Sequence, residues 1–142
     1  MEIIALRGNQ NEGKSETLNT VYQLMLLFGY QQVPGHFRQL GNPTQKDFTD
    51  ILEKKGRKVG IATMGDFDVN KKYPQDTVQE LLKYLERNGC DKAICACNNG
   101  LAIAVNFING YNHVYLSKTV TVVQSEHRIK NGEDAEKIYK LL

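Results

Sequence analysis

The chain has no long apolar run. Its longest uninterrupted stretches, Leu24 to Phe28 among them, are five residues, far short of the roughly 18 residues that a spanning helix needs, so no membrane partner is expected. Charge of one sign is lacking too: 18 Lys and Arg stand against 16 Asp and Glu, a net +2. That balance exerts little long-range pull on nucleic acid or on an anionic bilayer. No signal peptide is read at the acidic opening Met1-Glu2. Cysteine is scarce and odd in number. Cys90, Cys95 and Cys97 suit reduced thiols in a cytoplasmic setting. Cys95 and Cys97, two apart in a strand-like run, point to one face and read as small buried apolar residues rather than as a zinc site, which needs more ligands at other spacings. No G-x-S-x-G occurs, and His36, His113 and His127 stand at no spacing with Ser or Asp that suggests a hydrolase triad. Acyl transfer is therefore disfavoured. With no linker, repeat or low-complexity tract, residues 1–142 read as one domain, long enough to bury a sizeable core.

What is present is concentrated near the start. Gly8-Asn9-Gln10-Asn11-Glu12-Gly13-Lys14-Ser15 has the spacing G-x-x-x-x-G-K-[ST], between an apolar run (Ile3, Ile4, Ala5, Leu6) and a helical pattern. The two glycines admit backbone angles closed to other residues, so that successive N–H groups can curl around an anion at a helix N-terminus. In that geometry Lys14 reaches the β- and γ-phosphates of a nucleotide and the Ser15 hydroxyl holds Mg²⁺. The binding segment expected is residues 8 to 16, closing at Glu16. Glu12 is the discordant member: a carboxylate beside the cradle repels phosphate unless it turns outward.

At these residues the chain resembles the P-loop nucleoside-triphosphate-binding proteins. Asn11 with Ser15-Glu16-Thr17-Leu18 is also similar to the G-x-x-N-x-G-K-S-x-T-L version found in many bacterial GTPases. The Asn-Lys-x-Asp that reads guanine and the Asp-x-x-Gly of GTPases are missing, so ATP is preferred over GTP. The resemblance implies a P-loop NTPase-like fold, a nucleoside triphosphate with Mg²⁺ as ligand, and either hydrolysis or γ-phosphoryl transfer. No arginine-rich lid of the small nucleotide kinases is present, which favours hydrolysis or a switch. A nucleotide-sensing module with negligible turnover and a non-catalytic anion-holding loop are the alternatives.

Apolar periodicity outlines the rest. Helices are expected over 14–28 (Leu18, Val21, Tyr22, Met25), from Asn42-Pro43 through Phe48, Ile51 and Leu52, around Val78, Leu81, Leu82 and Leu85, over 101–108, and around Ala135, Ile138, Tyr139 and Leu142. The first four end at Gly29, Gly56, Gly89 and Gly110, each suited to the position after a helix. Strands are expected at the start and at 36–40, 59–64, 92–97 and 113–116. Residues 117–132 either add a strand at Val120–Val123 or cross the site as a loop. Such alternation predicts a three-layer α/β sandwich around a mostly parallel sheet of about five strands, with its chemistry at the carboxyl ends of those strands.

Past the strand at 59–64, Asp66 stands where P-loop proteins keep a Mg²⁺-binding carboxylate, although Gly65 intervenes, and Asp68 is the second choice. The catalytic pair expected is Lys14 and Asp66; the metal pair is Ser15 and Asp66. The bland reading of Gly65-Asp66 is a turn with a solvated carboxylate. Asn98-Asn99-Gly100 reads first as a turn and N-cap, and otherwise as a group positioning water or a hydroxyl. Arg128 is an arginine-finger candidate, or else an ordinary exposed arginine. Lys54 to Lys58 read as a cationic helix end complementing the dipole.

Overall fold

The computed structural model describes all residues 1–142. It is a mixed α/β architecture with helices on both faces of a seven-stranded sheet. The strands are β1 (Glu2–Gly8), β2 (Gln31–Gln32), β3 (Arg38–Gln39), β4 (Phe48–Lys54), β5 (Arg57–Ala62), β6 (Lys92–Asn98) and β7 (Asn112–Ser117). The helices are α1 (Lys14–Leu27), α2 (Val78–Arg87), α3 (Ala102–Asn109) and α4 (His127–Tyr139). Across the sheet the order is β2-β4-β5-β6-β1-β7, with the short β3 also on β4. The pairs β5–β6, β6–β1 and β1–β7 are parallel. Every pairing of β4, with β2, β3 and β5, is antiparallel.

Alternation along the central strands sends side chains into two cores. Ile4 and Leu6 of β1 and Ile94 and Ala96 of β6 meet Leu18, Val21, Tyr22 and Met25 of α1 and Ala135 and Ile138 of α4. Ile3 and Ala5, with Ala93, Cys95 and Cys97, face Val78, Leu82 and Leu85 of α2 and Ala104 and Ile108 of α3. A strand covered on both faces has no polar side to show, which is why these segments read as continuous apolar runs. The three thiols are free and buried, as the sequence suggested for Cys95 and Cys97; burial pushes Cys90 up to about 11.

Two expectations are overturned in the region 42–58. The helix expected from Asn42-Pro43 is a single 3-10 turn at Pro43–Gln45 followed by β4. Phe48, Ile51 and Leu52 are spaced as on a helix face, but in the strand Phe48 and Leu52 enter one core and Ile51 the other. Lys54 to Lys58 are then a hairpin rather than a cationic helix end: Lys55 and Gly56, with φ of 53° and 78°, form the two-residue turn that matches strand twist. The sheet therefore has seven strands instead of about five, and β4 makes it mixed. Gly29 and Gly89 do follow helices in the left-handed region, whereas Gly110 has φ of −75° and closes α3 without it. Residues 118–123 form no strand; the chain runs through a 3-10 turn at Gln124–Glu126 into α4.

No helix is long and apolar enough to cross a membrane.

Candidate functional site at the carboxyl edge of the sheet

β1 ends at Gly8, and the loop 9–13 carries the chain directly into α1. Gly13, the residue before α1, has φ of 86°, and no side chain caps that helix. The N–H groups of its first turn thus have no intrahelical partner and no side-chain acceptor, and they carry the positive end of the helix dipole. A side chain at position 13 is strained by the backbone angle and would also displace Asn131 of α4, whose Oδ1 lies 2.9 Å from where a Cβ would sit. Asn131 also donates to the Glu16 carboxylate at 3.3 Å, closing α4 over the start of α1.

This helix end opens into a cleft of about 1230 Å³, larger than the roughly 300–1,000 Å³ usual for small-molecule sites. Ala96 and Val120 are its two hydrophobic residues among 25, so its wall suits a charged ligand. Gln10 to Glu16 form one side. Thr63, Gly65, Asp66 and Asp47 line the floor, and Lys118 to Thr121, Arg128, Lys130 and Asn131 complete the wall.

Lys14 is 6% exposed. Burial lowers its pKa, opposed by the charges of Asp66 and Glu12, and its ammonium donates to the carbonyl of Asn9. The Ser15 hydroxyl donates to the carbonyl of Thr63 at 3.2 Å, which ties α1 to the end of β5. Asp66 lies beside β6, where Asn98 donates to it at 3.4 Å. The intervening Gly65 has a steric reason: a Cβ there would come within 2.5 Å of the Ala96 backbone. This close approach is also stitched by Asn98 N–H donating to the Gly65 carbonyl at 2.8 Å. Asp66 therefore reaches the floor of the cleft one residue later than a carboxylate closing the strand would.

Asp68 does not share that floor. It accepts the N–H of Ile103 at 2.9 Å, capping the first turn of α3. Asn98-Asn99-Gly100 forms a turn, with Asn99 N–H donating to the Gly8 carbonyl, but it caps no helix; Leu101 holds that place without a side-chain bond. The Asn98 side-chain oxygen is buried with no partner. Arg128 lines the cleft and makes no ion pair within the protein. His36, His113 and His127 bond Tyr84, the Tyr111 carbonyl and the Thr121 carbonyl, and no nucleophile joins them.

Asp47 escaped the sequence reading. It precedes β4, and because that strand runs against its parallel neighbours, its amino end lies at the edge where β5, β6 and β1 have their carboxyl ends. Asp47 is 5% exposed and accepts from the Thr63 hydroxyl at 2.9 Å. Burial pushes its carboxyl up; the nearby hydroxyls of Ser15 and Thr63, the latter hydrogen-bonded to it, pull it back, and the charge of Asp66 adds to the rise. An aspartate ahead of an apolar run was the available signal, and it was hidden by assigning the run to a helix.

Lys118 and Asp134 were missed as well. The Lys118 ammonium donates to the Asp134 carboxylate at 3.0 Å, and Asp134 also accepts from the Thr119 N–H and hydroxyl. Burial acts against ionisation of Asp134, yet the bonds from Thr119 and Lys118 prevail and hold its pKa below the ordinary range.

No three His, Cys, Asp or Glu residues cluster as a ready-made metal site. The oxygens here that could hold a cation are two carboxylates, Asp47 and Asp66, with the Ser15 hydroxyl. Such a set fits a hard cation that keeps waters and takes its remaining ligands from phosphate, as Mg²⁺ does. No family model, curated protein or solved structure matches this chain.

Proposed function

We propose that the chain is a P-loop nucleotide-binding protein that takes a nucleoside triphosphate with Mg²⁺, ATP in preference to GTP, and hydrolyses it or transfers its γ-phosphoryl group. The observation that supports this reading best is the convergence, at one uncapped helix N-terminus, of Lys14, Ser15, Asp66 and the buried Asp47 in a single polar cleft. Residues 8 to 16 would cradle the phosphates through backbone N–H groups, with Lys14 as the mobile point charge. Ser15 and Asp66 would hold the cation, which when bound neutralises charge developing on the phosphates. Asp47, already kept partly basic at the cleft floor, would accept a proton from an attacking water or acceptor hydroxyl. Arg128 and Lys130 face the same space and add positive charge from α4. The balanced net charge supports neither nucleic acid nor a lipid surface as partner, and the three free thiols support a cytoplasmic setting.

A thermal-shift screen of ATP, GTP and their diphosphates, with and without Mg²⁺, tests the binding claim. ATP with Mg²⁺ is expected to raise Tm most, because a ligand bound only by the folded state stabilises it by about 2.7 kcal/mol at a hundred times its Kd. A larger shift with GTP reverses the base preference, and no shift with any nucleotide sinks the reading. Phosphate release by the wild type and by Asp47→Asn then separates turnover from sensing. The sensing alternative is favoured by one observation: Lys14 and Ser15 are both engaged by carbonyls of the protein, so a ligand must rearrange them.

A further inference from the structure

The loop holds an anion of its own. Glu12 is half-buried, and its carboxylate turns into the loop and accepts the N–H of Asn9. Its Oε1 lies so close to Gly8 that a Cβ there would be 2.9 Å from it. Its charge also acts on Lys14. Two groups that a phosphate would draw on are already engaged in this loop: the Asn9 N–H by Glu12 and the Lys14 ammonium by the Asn9 carbonyl. The expected repulsion between Glu12 and phosphate becomes a competition for one place.

We propose that Glu12 is a built-in competitor for phosphate, and that the ligand preference of the cleft is set by which anions can displace it. This rests on the nucleotide-binding reading and adds to it the specificity of the same site. A small divalent anion such as sulfate or inorganic phosphate offers few contacts beyond those the carboxylate already makes. A triphosphate spans the loop and reaches the free N–H groups of the first turn of α1 as well as Lys14, so it gains contacts that Glu12 cannot supply. Once displaced, the carboxylate can swing from its half-buried place into water. Glu12 therefore discriminates against short anions and for polyphosphate chains.

The test compares wild type, Glu12→Ala and Glu12→Gln by calorimetric titration with tripolyphosphate and with ATP, and by Tm in increasing sulfate. Glu12→Ala is expected to bind tripolyphosphate about tenfold more tightly, the scale of one charge-assisted hydrogen bond, and to be stabilised by sulfate at concentrations that leave the wild type unmoved. Glu12→Gln, which keeps the shape and loses the charge, should fall between them. Folding of both variants is checked by their anion-free Tm and circular dichroism. Tripolyphosphate affinity that is equal or weaker in both variants overturns the proposal, as does a failure of all three proteins to bind it. The nucleotide reading has its own point of failure: if ATP gains nothing over tripolyphosphate in any of the three proteins, that reading falls while the competition between Glu12 and phosphate stands.

Discussion

Lys118 and Asp134 form an ion pair at 3.0 Å with side chains 1% and 3% exposed, and this pair fastens the chain leaving β7 to the middle of α4. Lys118 also donates its N–H to the Arg7 carbonyl at 2.7 Å, so the latch lies directly against the start of the loop between β1 and α1. Removing one partner of a buried pair leaves a lone charge out of water, at a cost of about 3–5 kcal/mol. Asp134→Ala should lower Tm by about 10 °C or more, and the double variant Lys118→Met/Asp134→Leu should recover most of that loss in a differential scan. If Asp134→Ala melts like the wild type, the pair is not the latch described.

Lys14→Met keeps the aliphatic stem and removes the charge. Nucleotide affinity should fall at least about tenfold, since the loop loses its one mobile cation on the phosphates. Stability should move the other way. Burial lowers the Lys14 pKa in the folded protein below its usual 10.5, so the charged form is penalised in full below the folded value and the penalty fades as pH approaches that of the unfolded chain. The ligand-free variant should therefore melt at or above the wild-type Tm at neutral pH, with the gap closing at alkaline pH. A loss of Tm at neutral pH contradicts this.

Asp47→Asn separates a catalytic carboxylate from a structural one. The folded state holds the Asp47 proton to higher pH than the unfolded chain does, so wild-type stability falls as pH rises from about 4 through the raised folded value. The variant lacks that fall and should be the more stable protein at pH 7. Phosphate release, if Asp47 takes the proton, should drop by about 10²-fold or more, and the acid limb of the wild-type pH profile should disappear. Unchanged turnover with a flattened stability profile would make Asp47 a structural residue only.

Asp66→Asn and Asp68→Asn should part company. The first should leave ATP binding in EDTA intact while reducing the Mg²⁺-dependent gain in affinity together with turnover. The second acts on the start of α3, and its cost should be one of stability, about 1 kcal/mol. If Mg²⁺ dependence survives in Asp66→Asn, Asp47 becomes the residue to examine.

Gly65→Ala should unite the two effects that those variants keep apart. Its Cβ would run into the backbone of Ala96 and Cys97, pushing β5 away from β6 at the point where Asp66 is presented. A Tm loss of several degrees with a weakened Mg²⁺ response is expected; a wild-type response to both refutes the close approach.

Much of this was legible in the chain. β5, β6, β7 and the helices α1, α2 and α3 follow from apolar spacing, and the loop 8–15 from its glycines and lysine. The region around β4 was not legible, because Phe48, Ile51 and Leu52 satisfy a helical stripe and also a strand buried on both faces; periodicity does not separate the two. Gly56 compounded the ambiguity, since one left-handed glycine serves a helix end and a hairpin turn equally well. The cost was Asp47, whose place depends on strand direction. Asp134 was hidden differently: an acidic residue on a helix is normally solvated, and its burial depends on Lys118 arriving from another element.

The direction of β4 has a practical use. Asp47 stands at one end of the strand and the Lys55-Gly56 turn at the other, about 25 Å away at 3.3 Å per residue. The turn touches no part of the cleft. A fluorophore or a short peptide tag placed there would ride on the same strand that carries Asp47 and report from a distance at which it cannot crowd the ligand. One residue added within the strand would be a different matter: the pleat would carry every following side chain to the opposite face, sending Leu52 from the α1 side to the α2 side and Ile51 the reverse way.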